Sequence, residues 1–400
     1  MSERQIGGST LSAELASLSP WSSVAPAISQ AERLARIEQA RALMIDAGAD
    51  ALLVAAGPSL SYFTGVGWGM IERLVAMVLP RVGRPFMVCP AFEAGSLDAV
   101  LTIDVEARLW EEHESPSDLT AAILREIGAS TLAIDPALAF GMADRLRLSA
   151  PSLTVMDATS IVDGCRMGKS SAELALMRQA KHMTLEVQRR AARILEPGIR
   201  ASTVRRFIDD AHRAIGASGS TFCLVQFGRS SAYPHGLPGD DVLAEGDVVL
   251  IDTGCAVQGY NSDITRTYVF GEPSPDQRRI WSLEQQAQQA AFDAARPGET
   301  CESLDAAART VLEKAGLGPG YRLPGLPHRT GHGIGLSVHE APYLVPGDKT
   351  KLQPGMCFSN EPMIVLPDQF GVRLEDHFFI TPDGAEWFTD RSPAIDRPFV

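Results

Sequence analysis

The sequence predicts an α/β domain followed by an α+β domain. Three observations carry that expectation. The first 165 residues alternate apolar strand-like runs with helical periodicities. From Ser170 onward, long helices come first and short strands dominate the end. And 400 residues exceed what one ordinary core accommodates. The expected division is an arm of residues 1–28, a first domain of 29–165 and a second of 166–400.

Residues 1–27 are rich in Ser and Ala and carry two prolines, Pro20 and Pro26. They read as a loose arm or a short helix packed on the protein. Ser29 with Glu32 is a capping-box signal. Leu34, Ile37, Ala40 and Met44 then recur at helical spacing, and Gly48 closes the helix. Ala51–Ala55 reads as a buried strand, and 57–65 as a loop holding Tyr62-Phe63-Thr64. Leu74–Leu79 and Pro85–Val88 pair as a hairpin. A helix over Ser117–Ile127, a strand at Thr131–Ile134, a helix over Ala137–Leu148 and a strand at Leu153–Met156 complete the domain. No GxGxxG follows its first strand and no P-loop occurs, so no nucleotide is assigned. It reads as a structural, dimerising domain.

In the second domain, Ser170 with Glu173 opens a long helix to about Leu195, ended by Pro197-Gly198. A second helix spans Ala201–Ile215. Strands are expected near Thr221–Gln226 and Val248–Asp252, and helices over Pro275–Ala295 and Cys301–Lys314. Residues 316–330 form a Gly/Pro-rich loop. Strands at Gly335–His339, Met356–Val365 and Val372–Thr381 follow.

Composition excludes several function classes. Lys plus Arg number 36 and Asp plus Glu 49, a net charge of −13. That argues against nucleic acid and anionic membranes as partners. No run of 18 apolar residues occurs, so no membrane span is expected. The N-terminus lacks a basic segment followed by an apolar one and is not read as a signal peptide. The six cysteines are scattered without a CxxC pair, as reduced cytosolic thiols are. The expected location is the cytoplasm.

The chemistry concentrates in VVLIDTGCAVQGYNSDITRT, residues 248–267. A hairpin centred between Val257 and Gln258 would set Asp252 opposite Asp263. Facing carboxylates repel, so the pair needs a shared proton or a shared cation. A second such pair follows: a hairpin turning near Asp368 would oppose Glu361 and Glu375. His332 lies between, in Gly331-His332-Gly333-Ile334-Gly335, where small neighbours permit close approach. Four carboxylates supply −4, which two divalent ions balance. Oxygen-rich donors with one His suit Mn²⁺, Co²⁺, Fe²⁺ or Zn²⁺. Other chemistries fit less well. His339-Glu340-Ala341-Pro342-Tyr343 begins like HExxH but ends in Tyr, there is no GxSxG elbow, and Cys357 has no partner His.

These motifs are specific enough to name a family. Asp252 and Asp263 eleven apart, GHGIGLSVHE around His332, NEP at Glu361 and GVRLED at Glu375 resemble the pita-bread metallopeptidases. That family includes methionine aminopeptidase, aminopeptidase P, prolidase and the metal-free creatinase. Residues 30–165 resemble the creatinase-type N-terminal domain, which points to the proline-directed branch. The resemblance implies a pita-bread fold for the second domain, and dimerising and active-site-capping roles for the first. It implies five metal ligands, Asp252, Asp263, His332, Glu361 and Glu375, with Asp263 and Glu375 bridging two ions, Mn²⁺ first among them. Glu361 would also be general base or proton shuttle. His235 and His339 match substrate-binding and intermediate-stabilising histidines, His328 a further active-site His, and Arg373 an Arg supporting the ligands and substrate. The implied reaction is hydrolysis of the Xaa-Pro bond in short peptides, foremost dipeptides, by a cytoplasmic homodimer. The alternatives are an aminopeptidase P acting on longer Xaa-Pro-Xaa peptides, a creatinase-type hydrolase or lyase, and a non-catalytic binding protein. Two departures stand out. Many prolidases carry an Arg between the equivalents of His339 and Glu361; here residues 340–360 offer only Lys349 and Lys351. Where some members have a Tyr upstream of His235, this chain has Thr221 and Phe222.

Overall fold

The computed structural model describes residues 5–22 and 24–400. Two compact units appear. Residues 28–166 form one; residues 167–400 form the other, together with the described residues up to 27.

The first unit is built on a six-stranded mixed sheet. Its strands run, edge to edge, Glu106–Trp110, Phe86–Pro90, Ala76–Pro80, Ala51–Ala55, Thr131–Ile134 and Thr154–Asp157. Ala51–Ala55 is buried throughout, antiparallel to Ala76–Pro80 and parallel to Thr131–Ile134. The helix Gln30–Ala47 starts where the Ser29 side chain accepts the Glu32 N–H and stops at left-handed Gly48. Its inner face differs from expectation at one position. Leu34 is exposed, whereas Arg36 is buried and lays its guanidinium 4.0 Å from the centroid of the Tyr62 ring. Residues 57–65 are not a loop. Pro58–Thr64 is a helix, with Pro in its first turn and Gly65 left-handed just after it. Aromatic and β-branched residues lower its local propensity, and packing overrides that. The edge strand Glu106–Trp110 and the helices Ala94–Val100 and Thr159–Arg166 had no expected counterpart.

In the second unit, the Ser170–Glu173 capping box is fully formed and starts the helix Ser171–Arg193. A short arm helix, Leu11–Ala16, is tied to it by Glu14, whose carboxylate takes hydrogen bonds from Arg190 and Arg193 at 3.0 and 2.8 Å. The strands Phe222–Phe227, Val248–Gly254 and Ile264–Val269 make one antiparallel sheet with Val248–Gly254 central. A five-stranded sheet runs Glu340–Leu344, Gly331–Gly333, Cys357–Asn360, Asp376–Thr381, Gly384–Trp387. The helices Pro275–Ala294 and Cys301–Lys314 cover the core, where Ile280, Trp281, Leu304 and Leu312 join Phe358 and Phe378.

Three strand expectations need correction, and all three bear on the site. Residues 335–339 are turn, and strands flank them at Gly331–Gly333 and Glu340–Leu344. His332 is therefore on a strand and His339 at a strand's edge. Met356–Val365 breaks into Cys357–Asn360 and Met363–Leu366; Val372–Thr381 breaks into Phe370–Arg373 and Asp376–Thr381. The breaks fall at Glu361-Pro362 and Leu374-Glu375. Pro362 has no N–H for a ladder. The Glu361 N–H bonds instead to the Thr330 carbonyl (2.8 Å), and the Glu375 N–H to the Thr265 carbonyl (3.0 Å). These two backbone bonds stitch Glu361 to the segment carrying His332, and Glu375 to the hairpin carrying Asp263.

Candidate metal centre

The first hairpin turns at Gln258-Gly259, both left-handed (φ +50° and +84°), a two-residue loop of the primed type. Its register pairs Val257 with Tyr260 and Asp252 with Thr265. The expected opposition of Asp252 and Asp263 is thus two residues out. A two-residue shift keeps every side chain on its face, so both aspartates still point the same way. Continuing the register sets Asp263 beside Gly254. No side chain would fit there: a Cβ on Gly254 would lie 1.9 Å from the Ser262 carbonyl oxygen. The second hairpin has the expected register. Met363 pairs with Arg373 and Asn360 with Asp376, which leaves Glu361 and Glu375 facing between them.

The two hairpins and the His332 strand bring their donors together. One ligand atom each from Asp252, Asp263 and Glu375 lie within 4.8 Å of one another. The same holds for His332, Glu361 and Glu375, and for Asp263, His332 and His339. Asp263, His332 and Glu375 each belong to two of these groups, and of the three only the carboxylates have a second oxygen to offer. His332 Nε2 stands 3.2 Å from Glu361, 3.6 Å from Asp263 and 4.0 Å from Glu375.

The hydrogen bonds behind the donors fix their orientation. His332 Nδ1 lies 3.0 Å from the Gly333 carbonyl. A carbonyl only accepts, so Nδ1 carries the proton and Nε2 presents a lone pair. Arg373 is buried; it gives one Nη2–H to Asp252 Oδ2 (2.6 Å) and its Nε–H to Thr265 Oγ1 (3.1 Å). The Thr265 hydroxyl in turn donates to Glu375 Oε2 (2.9 Å), and the Ser359 hydroxyl to Glu375 Oε1 (2.8 Å). Asp376 does not compete for Arg373; it pairs with buried Arg266 at 2.7 Å.

With only protein groups around it, the cluster is frustrated. Burial pushes the Asp263 carboxyl well up, and repulsion from Glu375, Asp252 and Glu361 adds to it. Burial and repulsion from Glu361 and Asp252 push Glu375 the same way. Glu361 goes the other way: burial opposes its ionisation, but the buried Arg373 guanidinium favours it and holds it down. A lone pair on His332 Nε2 therefore faces carboxylates across 3.2 to 4.0 Å, and neither that nitrogen nor Asp252 Oδ1 has a hydrogen-bond partner among the described residues. Buried polar atoms are rarely left so. A cationic occupant satisfies them, and four oxygen donors with one imidazole match a divalent transition ion.

A cavity of about 770 Å³ opens over the cluster. Asp252, Asp263, Glu361, Glu375 and Arg373 reach it, as do His235, His328 and His339. His332 backs it, its ring edge-on to that of His339 with centroids 4.2 Å apart. His235 and His339 are exposed to the cavity and His328 is half-buried. Partial burial, with His332 and Arg329 nearby, still lowers His339 to about 4. Burial lowers His328 too, and its Nδ1–H donates to the Arg329 carbonyl at 2.6 Å. Apolar walls come from Phe222, Leu224, Tyr233, Pro234, Pro327 and Val338. Lys349 and Lys351 are exposed and absent from the lining. The Cys357 thiol is pushed up to about 12 by burial, as befits a packed side chain rather than a nucleophile.

Sequence reasoning missed Thr265, Ser359 and Arg329. Thr265 was findable, being two residues after Asp263; the misplaced turn hid that it faces Asp252.

Residues 175–382 match the model of metallopeptidase family M24, and residues 36–168 that of the creatinase/prolidase N-terminal domain. The chain belongs to metallopeptidase family M24. Among family relatives, the probable dipeptidase PepE of Mycobacterium tuberculosis (strain ATCC 25618 / H37Rv) is 40% identical over 356 residues, 88% of this chain and 92% of that protein. The Xaa-Pro dipeptidase of Lactobacillus helveticus is 34% identical over 338 residues, 83% and 90% of the two chains. The crystal structure of dipeptidase PepE from Mycobacterium ulcerans superposes with a TM-score of 0.83 at 37% identity, covering 92% of this chain and 98% of that one. As a member the chain is a metal-dependent peptidase of creatinase-type two-domain architecture. No helix among its described residues is long and apolar enough to cross a membrane.

Proposed function

We propose that this M24 enzyme hydrolyses the Xaa-Pro bond of dipeptides. It does so with two divalent ions, Mn²⁺ foremost, held by Asp252, Asp263, His332, Glu361 and Glu375. The observation that carries the reading is the convergence of four carboxylates and an unpartnered imidazole nitrogen under one cavity. Relatives named Xaa-Pro dipeptidase support the substrate. In the same proposal Asp263 and Glu375, carboxylates shared between donor groups, would be the residues that hold both ions. The first unit dimerises the enzyme, and the protein works in the cytoplasm as a homodimer.

When bound, the ions lower the pKa of a shared water toward neutrality and polarise the scissile carbonyl. The protein's own groups do the rest. Glu361, held ionised, accepts the proton of the attacking water and passes it to the leaving nitrogen. That nitrogen belongs to proline and leaves as a secondary amine, so it must gain a proton as the bond breaks. His339, kept neutral, offers a ring N–H to the oxygen of the tetrahedral adduct. His235 and His328 hold the peptide from the same wall. Phe222, Leu224 and Val338 give an apolar surface for the proline ring, which has no amide N–H to recognise.

The test is hydrolysis of an Xaa-Pro dipeptide and the matching Xaa-Pro-Xaa tripeptide before chelation, after it, and after Mn²⁺ is restored. The dipeptide should be cleaved, chelation should abolish cleavage, and Mn²⁺ should restore it. Asp263→Ala should be inactive while folded. Full activity in that variant sinks the proposal; preference for the tripeptide replaces it with an aminopeptidase P activity.

A further inference from the structure

The cavity contains one cationic side chain that the donor cluster does not use. Among the described residues lining it, four charged side chains are carboxylates and Arg373 is committed to Asp252 and Thr265. The remaining one is Arg329. Its guanidinium makes no hydrogen bond or ion pair with any described residue. It lies over an aromatic shelf instead, 4.7 Å from the centroid of the Tyr343 ring.

The backbone beneath that guanidinium is held firmly. The Arg329 carbonyl accepts the His328 ring N–H at 2.6 Å, and the His328 carbonyl accepts an Arg309 Nη2–H at 2.6 Å. Tyr343 is fixed in turn by its own N–H bond to Asp348 at 2.9 Å. The result is an anchored fork beside a cavity with an unspent set of donors. A guanidinium in that condition suits a planar anion, because two parallel N–H bonds match a carboxylate.

The substrate supplies such an anion. An Xaa-Pro dipeptide carries a free carboxylate one residue past the scissile bond, and it must enter a cavity floored by four acidic side chains. Enclosed there without a paired donor, that charge would be costly to desolvate. Lys349 and Lys351 lie outside the lining, and Arg373 is already committed, so among the described lining residues Arg329 is the cation left to meet it. We infer that Arg329, steadied on Tyr343, binds the free carboxylate of the substrate and thereby selects dipeptides. The inference rests on the Xaa-Pro reading above. It assigns the carboxylate to an Arg three residues before His332, in a chain whose 340–360 segment has none.

The experiment compares an Xaa-Pro dipeptide with its C-terminal amide, in the Mn²⁺-loaded wild type, Arg329→Met and Arg329→Lys. The wild type should prefer the acid. Arg329→Met should raise KM for the acid about 10- to 100-fold, the scale of a charge-assisted hydrogen bond, with kcat falling far less. The acid-to-amide preference should fall by the same factor. Arg329→Lys should keep part of it, since a single ammonium attracts a carboxylate without gripping it as a fork. Equal losses on acid and amide would make Arg329 a structural residue and overturn the assignment, as would an unchanged preference. Amide turnover within each variant reports that the site is folded. A wild type idle on both substrates overturns the Xaa-Pro function itself, and this assignment with it; an active wild type with an unaltered preference in Arg329→Met overturns the assignment alone.

Discussion

Replacing Gly254 by Ala should disable the metal centre without unfolding the protein. Gly254 ends the strand that carries Asp252, opposite Asp263, and its φ is not left-handed, so alanine suits the backbone. Space is the obstacle. The new Cβ would stand 1.9 Å from the Ser262 carbonyl oxygen and 2.9 Å from the Phe222 ring. To restore even a 3.0 Å contact, Ser262 must retreat by 1.1 Å. Asp263 is the next residue and moves with it, away from Asp252 and Glu375. A displacement of roughly 1 Å at a reacting centre costs about 100-fold in rate, or about 2.7 kcal/mol. We expect kcat/KM for an Xaa-Pro dipeptide to fall by about that factor, with a comparable loss of Mn²⁺ affinity by calorimetry. The far-ultraviolet dichroism should be that of the wild type. Gly384→Ala, with no atom of the described residues within 4 Å of its new Cβ, is the control and should change neither quantity. Wild-type Mn²⁺ affinity and turnover in Gly254→Ala would refute the argument that the hairpin backbone sets the Asp252–Asp263 spacing.

Other expectations follow from the same structure. Arg373→Met leaves Asp252 buried without its 2.6 Å partner, so chelated protein should lose about 3–5 kcal/mol in denaturant melts. Mn²⁺ affinity should drop about 10- to 100-fold, and Arg373→Lys should not recover it, lacking a fork to reach both Asp252 and Thr265. His212 is buried between Thr184 and Ser220, and burial lowers its pKa from 6.5 to about 4. The unfolded chain then takes up that proton first as pH falls, so folding stability declines from about pH 6.5 down to about 4 and is level below that. Between pH 7 and 5 the loss is about 2 kcal/mol, and His212→Gln should remove that part of the slope in urea melts. Ser170→Ala breaks the capping box and should cost about 1 kcal/mol, read as a lower melting temperature with unchanged KM for the dipeptide.

The long helices of the second unit were readable because their ends are written chemically. Ser170 with Glu173 and Pro275 at a first turn mark starts that the structure places within a residue of expectation. Cys301–Lys314 matches at both ends. The donor positions were legible for a different reason. The side-chain period of a strand is two, so a hairpin guess wrong by two residues still put Asp252 and Asp263 on one face. What stayed hidden depends on contacts far apart in the chain. The breaks at Glu361 and Glu375 arise from backbone bonds to Thr330 and Thr265, which no local pattern announces. Arg329 sits in an apparently ordinary loop, and only the fold sets it over Tyr343. In the first unit, the edge strand Glu106–Trp110 alternates exposed and half-buried residues around charged side chains, too weak a pattern to separate from loop.

The most direct measurement of the central claim is a calorimetric titration of the chelated, dialysed protein with Mn²⁺. The five-donor centre predicts two ions bound per chain, and loss of saturable binding in Asp263→Ala while the fold persists. Wild-type protein that takes up no Mn²⁺, or Asp263→Ala that still takes up two ions, would contradict it.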